Sequence, residues 1–196
     1  QDAPQVEPQT SVGIDVGLAA FATLSTGEKI ENPRFFRKAE QELKVAQRSL
    51  CRKQKGSRNR RKAVRRAAKI HERIKSQRKD FAHQESRKLV NRFDLIGVEA
   101  LNIKGLAGSM LAKSVHDAAW GLFLFYLTSK AANAGRHVVA VDPRGTSQEC
   151  PRCGAVAKKS LSERRHQCEC GLAIDRDHAA ALVIETRAVA VATASK

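Results

Sequence analysis

The chain has 196 residues, enough to bury one full core with a small appended module but not two large independent domains. Its 36 Lys and Arg against 20 Asp and Glu leave a net charge of +16, a balance that favours a polyanion partner, nucleic acid first, because phosphate contacts release counterions. An anionic membrane surface would attract the same charge, but no apolar run approaches the roughly 20 residues that span a bilayer, and no signal peptide is visible.

The chain opens Gln1-Asp2-Ala3-Pro4, without Met, so residues 1–10 are expected to be a disordered lead or linker and the chain a piece of a longer protein. Residues 11–24 alternate small and apolar side chains, a turn follows at Ser25-Thr26-Gly27-Glu28, and 29–32 return. This predicts a β-hairpin with a third short strand. Between Arg34 and Lys88 the character changes: 21 Lys and Arg against 5 Asp and Glu carry the whole net charge. Leu43, Val45, Ala46 and Leu50, then Val64, Ala67, Ala68, Ile70, Ile74 and Phe81, recur at three-to-four spacing on either side of Gly56-Ser57. Two amphipathic helices in an antiparallel basic hairpin over 34–92 follow from that pattern.

Asp94-Leu95-Ile96-Gly97-Val98-Glu99 reads as a buried strand ending in a carboxylate. After a loop containing Gly105 and Gly108, a helix is predicted over 114–133, with Ser114 as its N-cap, Asp117 completing a capping-box-like start, and Gly135 beyond its end. Trp120, Phe123, Leu124 and Leu127 share one face of it and read as core. Residues 136–142 form a further buried strand stopped by Pro143, the cysteine module occupies 150–171, and an Ala-rich helix runs from Asp177 to about Val191. The order of elements signals a mixed α/β sheet with helices packed on it.

Two constellations carry chemistry. Cys150, Cys153, Cys168 and Cys170 lie in two short pairs, each followed by Gly, while Cys51 stands alone in a basic helix. Four thiolates presented by two tight turns suit a closed structural zinc site in a reducing compartment better than a disulfide framework. Asp15 within the first strand, Glu99 at the end of the buried strand and Asp177 at the start of the last helix each sit in apolar surroundings. Any one of them fits a helix cap or a surface ion pair. The order Asp, Glu, Asp over these elements instead suggests carboxylates that converge on Mg²⁺, since such a cluster repels itself unless cations bind it. On the basic hairpin, Arg58, Arg60, Arg61, Arg65 and Arg66 are candidate phosphate contacts, the plainer reading being a solvated face.

Four ordered motifs then carry a resemblance: Gly13-Ile14-Asp15-Val16-Gly17; Val98-Glu99-Ala100-Leu101-Asn102-Ile103-Lys104-Gly105; Asp142-Pro143-Arg144-Gly145-Thr146-Ser147-Gln148-Glu149-Cys150-Pro151-Arg152-Cys153-Gly154; and Cys170-Gly171-Leu172-Ala173-Ile174-Asp175-Arg176-Asp177. Over residues 11 to about 188 the chain resembles the C-terminal half of the TnpB/OrfB proteins of bacterial insertion sequences and, with them, compact type V CRISPR effector nucleases. The resemblance implies an RNase H-like (RuvC) nuclease core over 11–149 that includes the basic hairpin, a zinc-binding module at 150–171, the last core helix at 172–191 and a tail at 192–196. It implies an Mg-dependent, RNA-guided DNA endonuclease of the bacterial cytoplasm and nucleoid, with DNA and a guide RNA as partners. Asp15, Glu99 and Asp177 would be its metal-binding catalytic acids, Asp175 being the less suitable choice for the third, and guide- and target-binding lobes would precede Gln1. Two positions depart from the family pattern. The second cysteine pair is Cys168-Glu169-Cys170, one residue shorter than usual, with His166 as a possible substitute ligand, and Ala179 stands where the family places Asn, with His178 before it.

Other classes compete. A catalytically inactive nucleic-acid-binding zinc protein, a domesticated relative, would keep the cysteines and the basic hairpin; the intact acid triad argues for the enzyme. A strand transferase using a covalent tyrosine would rely on Tyr126, the single tyrosine, placed on a helix predicted to be buried.

Overall fold

The computed structural model describes residues 9–102, 105, 108, 112–157, 160 and 163–194. Strands β1 (Ser11–Val16), β2 (Ala20–Leu24) and β3 (Lys29–Glu31) follow one another antiparallel, as the alternation and the turn predict. The two apolar runs give β4 (Leu95–Glu99) and β5 (His137–Val141), which extend the sheet in parallel from β1. One five-stranded mixed sheet results, in the order β3-β2-β1-β4-β5. Because β5 forms its edge, His137 and Ala140 are exposed, and that strand is less covered than its composition suggests.

Among the described residues five helices accompany the sheet: α1 (Phe35–Cys51), α2 (Arg58–Arg92), α3 (Ala112–Ala118), α4 (Trp120–Asn133) and α5 (Arg176–Ala194). Period-two alternation assigns them to faces. Val12 and Ile14 of β1 and Ile96 and Val98 of β4 pack with Leu89 and Val90 of α2 and Phe123 and Leu127 of α4 in the main core. Gly13 and Gly97, on the opposite face, meet α5 at backbone distance. A Cβ on Gly13 would stand 2.0 Å from the Ala181 carbonyl oxygen, and one on Gly97 would stand 2.7 Å from the Ala188 Cβ. Glycine at both positions lets the helix lie directly on the strands.

The basic hairpin forms as predicted. Ser57 caps α2 by accepting a hydrogen bond from the Arg60 amide at 3.1 Å. Ala39, Leu43 and Ala46 of α1 pack on Ala67, Ile70 and Ile74 of α2 in a separate small core, while Val45 and Val64 of the same pattern are about half exposed. With 35 residues, α2 is about 50 Å long, so its first half builds the hairpin and its second half the main core.

Three expectations change. Gln9 and Thr10, assigned above to the lead, are fastened by their backbone amides to the Asp94 carboxylate at 3.0 and 3.1 Å, while residues 1–8 lie outside the described residues. The last helix begins at Arg176 and reaches Ala194, past the start of the expected tail, and residues 165–175 form a two-stranded ribbon, β6 (Arg165–Gln167) with β7 (Ala173–Asp175), leading into it. The single helix expected over 114–133 is two, broken at Ala119 in the left-handed region with φ 57°.

The break has a use. Asp117, 4% exposed, caps a different helix from its own: its carboxylate accepts the Phe36 and Arg37 amides of α1 at 2.7 and 3.1 Å and pairs with Arg78 of α2 at 3.0 Å. Arg34, at the N-cap of α1, supplies no side-chain cap of its own, so the first-turn amides of α1 are satisfied from α3. Among the described residues no helix is long and apolar enough to cross a membrane.

Because the contact beneath α5 is with backbone, Gly13→Ala should destabilise the fold by about 3 kcal/mol or more in urea denaturation, the upper end of overpacking costs. Gly56→Ala, in open space at φ +82°, should cost only about 1 kcal/mol from its backbone conformation. Equal losses would show that α5 can shift away from β1.

Candidate functional site

The glycine contacts fix where the three predicted acids fall. Ser11 reaches Glu185 of α5, with Oγ 2.5 Å from the carboxylate, and Gly13 sits over Ala181. β1 and α5 therefore run in opposite directions, and advancing along β1 moves toward the N-terminus of the helix. Asp15 is one alternation beyond Gly13 on the same face. β1 and β4 pair Gly13 with Gly97 and Ile14 with Val98, and continuing that register sets Asp15 beside Glu99. Asp177, in the first turn of α5, arrives from above.

Electrostatics record the convergence. Burial first, then the charges of Glu99 and Asp177, push the Asp15 pKa up to about 8, with Arg176 opposing and Asp175 adding to the rise. Glu99 is also raised by burial, against the hydrogen bond from Thr146 and the charge of Arg187. Two adjacent carboxylates, Asp15 and Glu99, that burial holds back from ionising fit a divalent cation with oxygen ligands, which would reverse that cost.

Asp175 is occupied elsewhere. Its Oδ1 accepts the amides of Asp177 and His178 at 3.0 and 3.2 Å, capping α5, and its Oδ2 pairs with Lys29 at 2.9 Å. Burial would raise its pKa, but the Lys29 contact and the helix amides hold it below the usual carboxylate value. His178, with Nε2 3.0 Å from the Ser25 carbonyl oxygen, ties the same turn to the end of β2.

Sequence reasoning missed two further partners. Thr146, only 3% exposed, places its hydroxyl 2.5 Å from Glu99 Oε1. Arg187, the lone basic residue in the Ala-rich body of α5, donates to the carbonyls of Asp142 and Arg144 and pairs with Glu149 at 2.6 Å. A single Arg in an otherwise small and apolar helix is the signal that could have found it.

The four predicted sulfurs come together. Cys150 and Cys170 lie 3.7 Å apart and Cys153 and Cys168 3.5 Å apart, all four within 4.8 Å of one another. A tetrahedral ion with metal–sulfur bonds of about 2.3 Å needs sulfurs about 3.8 Å apart, so the shortened Cys168-Glu169-Cys170 pair fits. His166 is buried in β6 and hydrogen-bonds Cys150, supporting the cluster from outside the ligand set. Burial opposes ionisation of Cys150, but the amides of Cys153 and Arg152 with His166 and Cys168 bring it down to about 5. At Cys153 the Ala155 amide favours the thiolate, yet sharing with Cys168 and Cys150 pushes it up to about 12. The metal-free cluster thus holds charge on one sulfur at the expense of another, a conflict a divalent ion removes. Among the described residues this is the one group of three or more His, Cys, Asp or Glu side chains gathered tightly enough for a single ion; Asp15, Glu99 and Asp177 share a region without closing on one point.

Of the hairpin arginines, Arg58, Arg61, Arg65 and Arg66 are exposed on α2. Arg60 turns inward instead, donating to the carbonyls of Leu50 and Lys53 at 3.1 and 3.2 Å and closing the end of α1.

Residues 1–110 match the OrfB_IS605 family, described as "Probable transposase", and residues 120–184 match the "Cas12f1-like, TNB domain" family. A Streptomyces pristinaespiralis protein named "Putative RNA-guided DNA endonuclease" is 41% identical over 177 residues, covering 89% of this chain and 44% of that protein. The Escherichia coli K12 protein named "Putative RNA-guided DNA endonuclease InsQ" is 33% identical over 182 residues, covering 84% and 45%. The chain thus spans less than half the length of these relatives. The fold is shared with the protein of a Cas12f1–sgRNA–target DNA complex, at TM-score 0.64 and 18% identity over 94% of this chain and 51% of that one.

The raised Asp15 gives a signed expectation. Between the ordinary carboxylate range and about 8, the folded metal-free chain keeps a proton that the unfolded chain has released, so stability falls as pH rises, by at most about 1.4 kcal/mol per pH unit. In chelator, Asp15→Asn should therefore gain on the wild type in chemical denaturation from about pH 5 to about pH 8. Parallel pH profiles for the two proteins would show that Asp15 ionises freely.

Proposed function

We propose that this chain, which belongs to the OrfB_IS605 transposase family, is the nuclease portion of a TnpB-like, RNA-guided DNA endonuclease that hydrolyses phosphodiesters. The observation that carries this is that Asp15, Glu99 and Asp177 approach one region from three separate elements, with Asp15 raised by burial first and then by the charges of the other two. The sheet order, with its antiparallel β3-β2-β1 followed by parallel β4 and β5, supports an RNase H-like (RuvC) core over 11–149. The basic hairpin is an insertion within it, 150–171 is a zinc module, and 172–191 return to the core.

Asp15, Glu99 and Asp177 would together hold two Mg²⁺ ions. Magnesium supplies Lewis acidity to the attacking water and to the leaving oxygen of the phosphodiester. The chain's own part is to hold the ligands ready: the strand register keeps Asp15 beside Glu99, and the Asp175 cap fixes the turn that carries Asp177. Arg58, Arg61, Arg65 and Arg66 offer exposed charge to a phosphate backbone, while Arg60 serves the hairpin itself. The cysteines would hold a structural zinc, closed to water by its four protein ligands. In the full-length protein a guide RNA would read the DNA target by base pairing while protein contacts read shape, in the bacterial cytoplasm at the nucleoid. A second reading, a catalytically inactive nucleic-acid-binding zinc protein, is favoured by one observation: the sulfurs close on a single point and the carboxylates do not.

Cleavage of a guide-matched plasmid by the full-length protein at fixed salt and Mg²⁺ separates the two. Asp15→Ala should lower the rate more than about a thousandfold, and equal cleavage by both proteins would remove the triad from the chemistry. Purified protein should also contain about one zinc per chain, lost on Cys150→Ser; protein that takes up no zinc at any pH would refute the cysteine site.

A further inference from the structure

The segment between β5 and the cysteines connects the two constellations. Its shape is set locally: the Arg144 amide donates to Asp142 Oδ1 at 3.0 Å, Gly145 takes φ +77°, and the Gly145 carbonyl accepts the amides of Gln148 and Glu149, both at 2.9 Å. This turn buries Thr146 and aims its hydroxyl at Glu99 Oε1, with the Pro143 carbonyl 3.0 Å away as a second acceptor. The hydroxyl has one proton to give, and an ionised Glu99 is the stronger acceptor of the two.

Arg187 then clamps the turn onto α5. One guanidinium nitrogen holds the Asp142 and Arg144 carbonyls at 2.8 and 2.9 Å, and another holds Glu149. Glu149 precedes Cys150 and bridges to Val156 across the first cysteine turn. A single brace therefore runs from the cysteine module through Glu149 and Arg187 to the helix bearing Asp177, and through Thr146 to Glu99.

We propose that Thr146 is a positioning residue for Glu99, holding the carboxylate in the orientation that binds a divalent cation, with Arg187 fixing the turn that presents it. The inference rests on the nuclease reading, because it assigns Glu99 a cation to hold. Backbone pairing fixes where β4 ends but leaves the Glu99 side chain free to rotate, and Thr146 supplies the constraint the strand lacks.

The test uses the full-length protein with Thr146→Val, which keeps the shape and removes the hydroxyl, and Thr146→Ser, which keeps the hydroxyl. Two readouts are taken across a Mg²⁺ titration: the rise in unfolding temperature without guide or DNA, and the cleavage rate with both. Thr146→Val should need about tenfold more Mg²⁺ for half its effect in each, Thr146→Ser should stay within about twofold of wild type, and zinc content should be unchanged in both. If Thr146→Val matches wild type, or if Val and Ser lose equally, the positioning role is overturned. Should Thr146→Val fail to fold, Arg187→Lys takes its place, with the same direction of change expected and an unchanged Mg²⁺ requirement overturning the proposal. A wild type that neither shifts with Mg²⁺ nor cleaves would instead count against the nuclease reading.

Discussion

Helix α5 rests on β1 and β4 with no strand side chain at Gly13 or Gly97 to hold it off, and the placement of the acids follows from that contact. Gly13 and Gly97 leave the strand surface bare, and Ala181 and Ala188 meet it from the helix. The small residues of α5 thus serve proximity more than helix propensity. Because the faces of a strand alternate with period two, the same parity that bares Gly13 and Gly97 to the helix turns Asp15 and Glu99 toward its N-terminus. The site is a consequence of the packing, and a bulkier residue at either glycine would move the helix and its acid together.

Charge is divided to match. The cations that act most strongly on the acids are Arg176 and Arg187, both on α5. The net +16 resides in the hairpin, where Asp117 consumes one charge by pairing with Arg78 and Arg60 spends its donors on α1. Most of the hairpin's charge is therefore uncompensated within the chain, whereas at the acids burial and neighbouring charge hold Asp15 back from ionising. The positive charge and the buried acids thus lie on different elements, the first on α1 and α2 and the second on β1, β4 and the start of α5.

The strands, the basic hairpin and the four-sulfur cluster were legible because each rests on a local pattern: alternation, three-to-four spacing, or paired cysteines before glycine. What was not legible depended on partners far away in sequence. Ser114 and Asp117 look like a capping box, and only the fold reveals that Asp117 caps a helix some eighty residues earlier, |i−j| = 81 for Phe36. Arg60 reads as one of five equivalent arginines until the end of α1 is placed beside it. Thr146 sits in a quoted motif, but its tie to Glu99 spans 47 residues. Asp175 and Asp177 differ by two positions, and the helix start decides their roles: one satisfies the first amides of α5 and Lys29, while the other, paired with Arg176 at 3.7 Å, acts on Asp15.

That helix start also explains why the cysteine module adjoins Asp177. Gly154 and Gly171, at φ +74° and +85°, turn the chain sharply after each cysteine pair, so even the one-residue spacing of Cys168 and Cys170 delivers both sulfurs. From the second turn the chain enters β7, pairs with β6, and ends at Asp175, the cap of α5. No flexible linker intervenes between the ribbon and the helix. The turn that gathers the second sulfur pair leads directly into the ribbon, and the ribbon ends in the cap that sets the first turn of α5. The cysteine module is thereby tied to Asp177 along the chain through β7 and to Glu99 by side-chain contacts through Glu149, Arg187 and the turn bearing Thr146, two separate routes from one cluster.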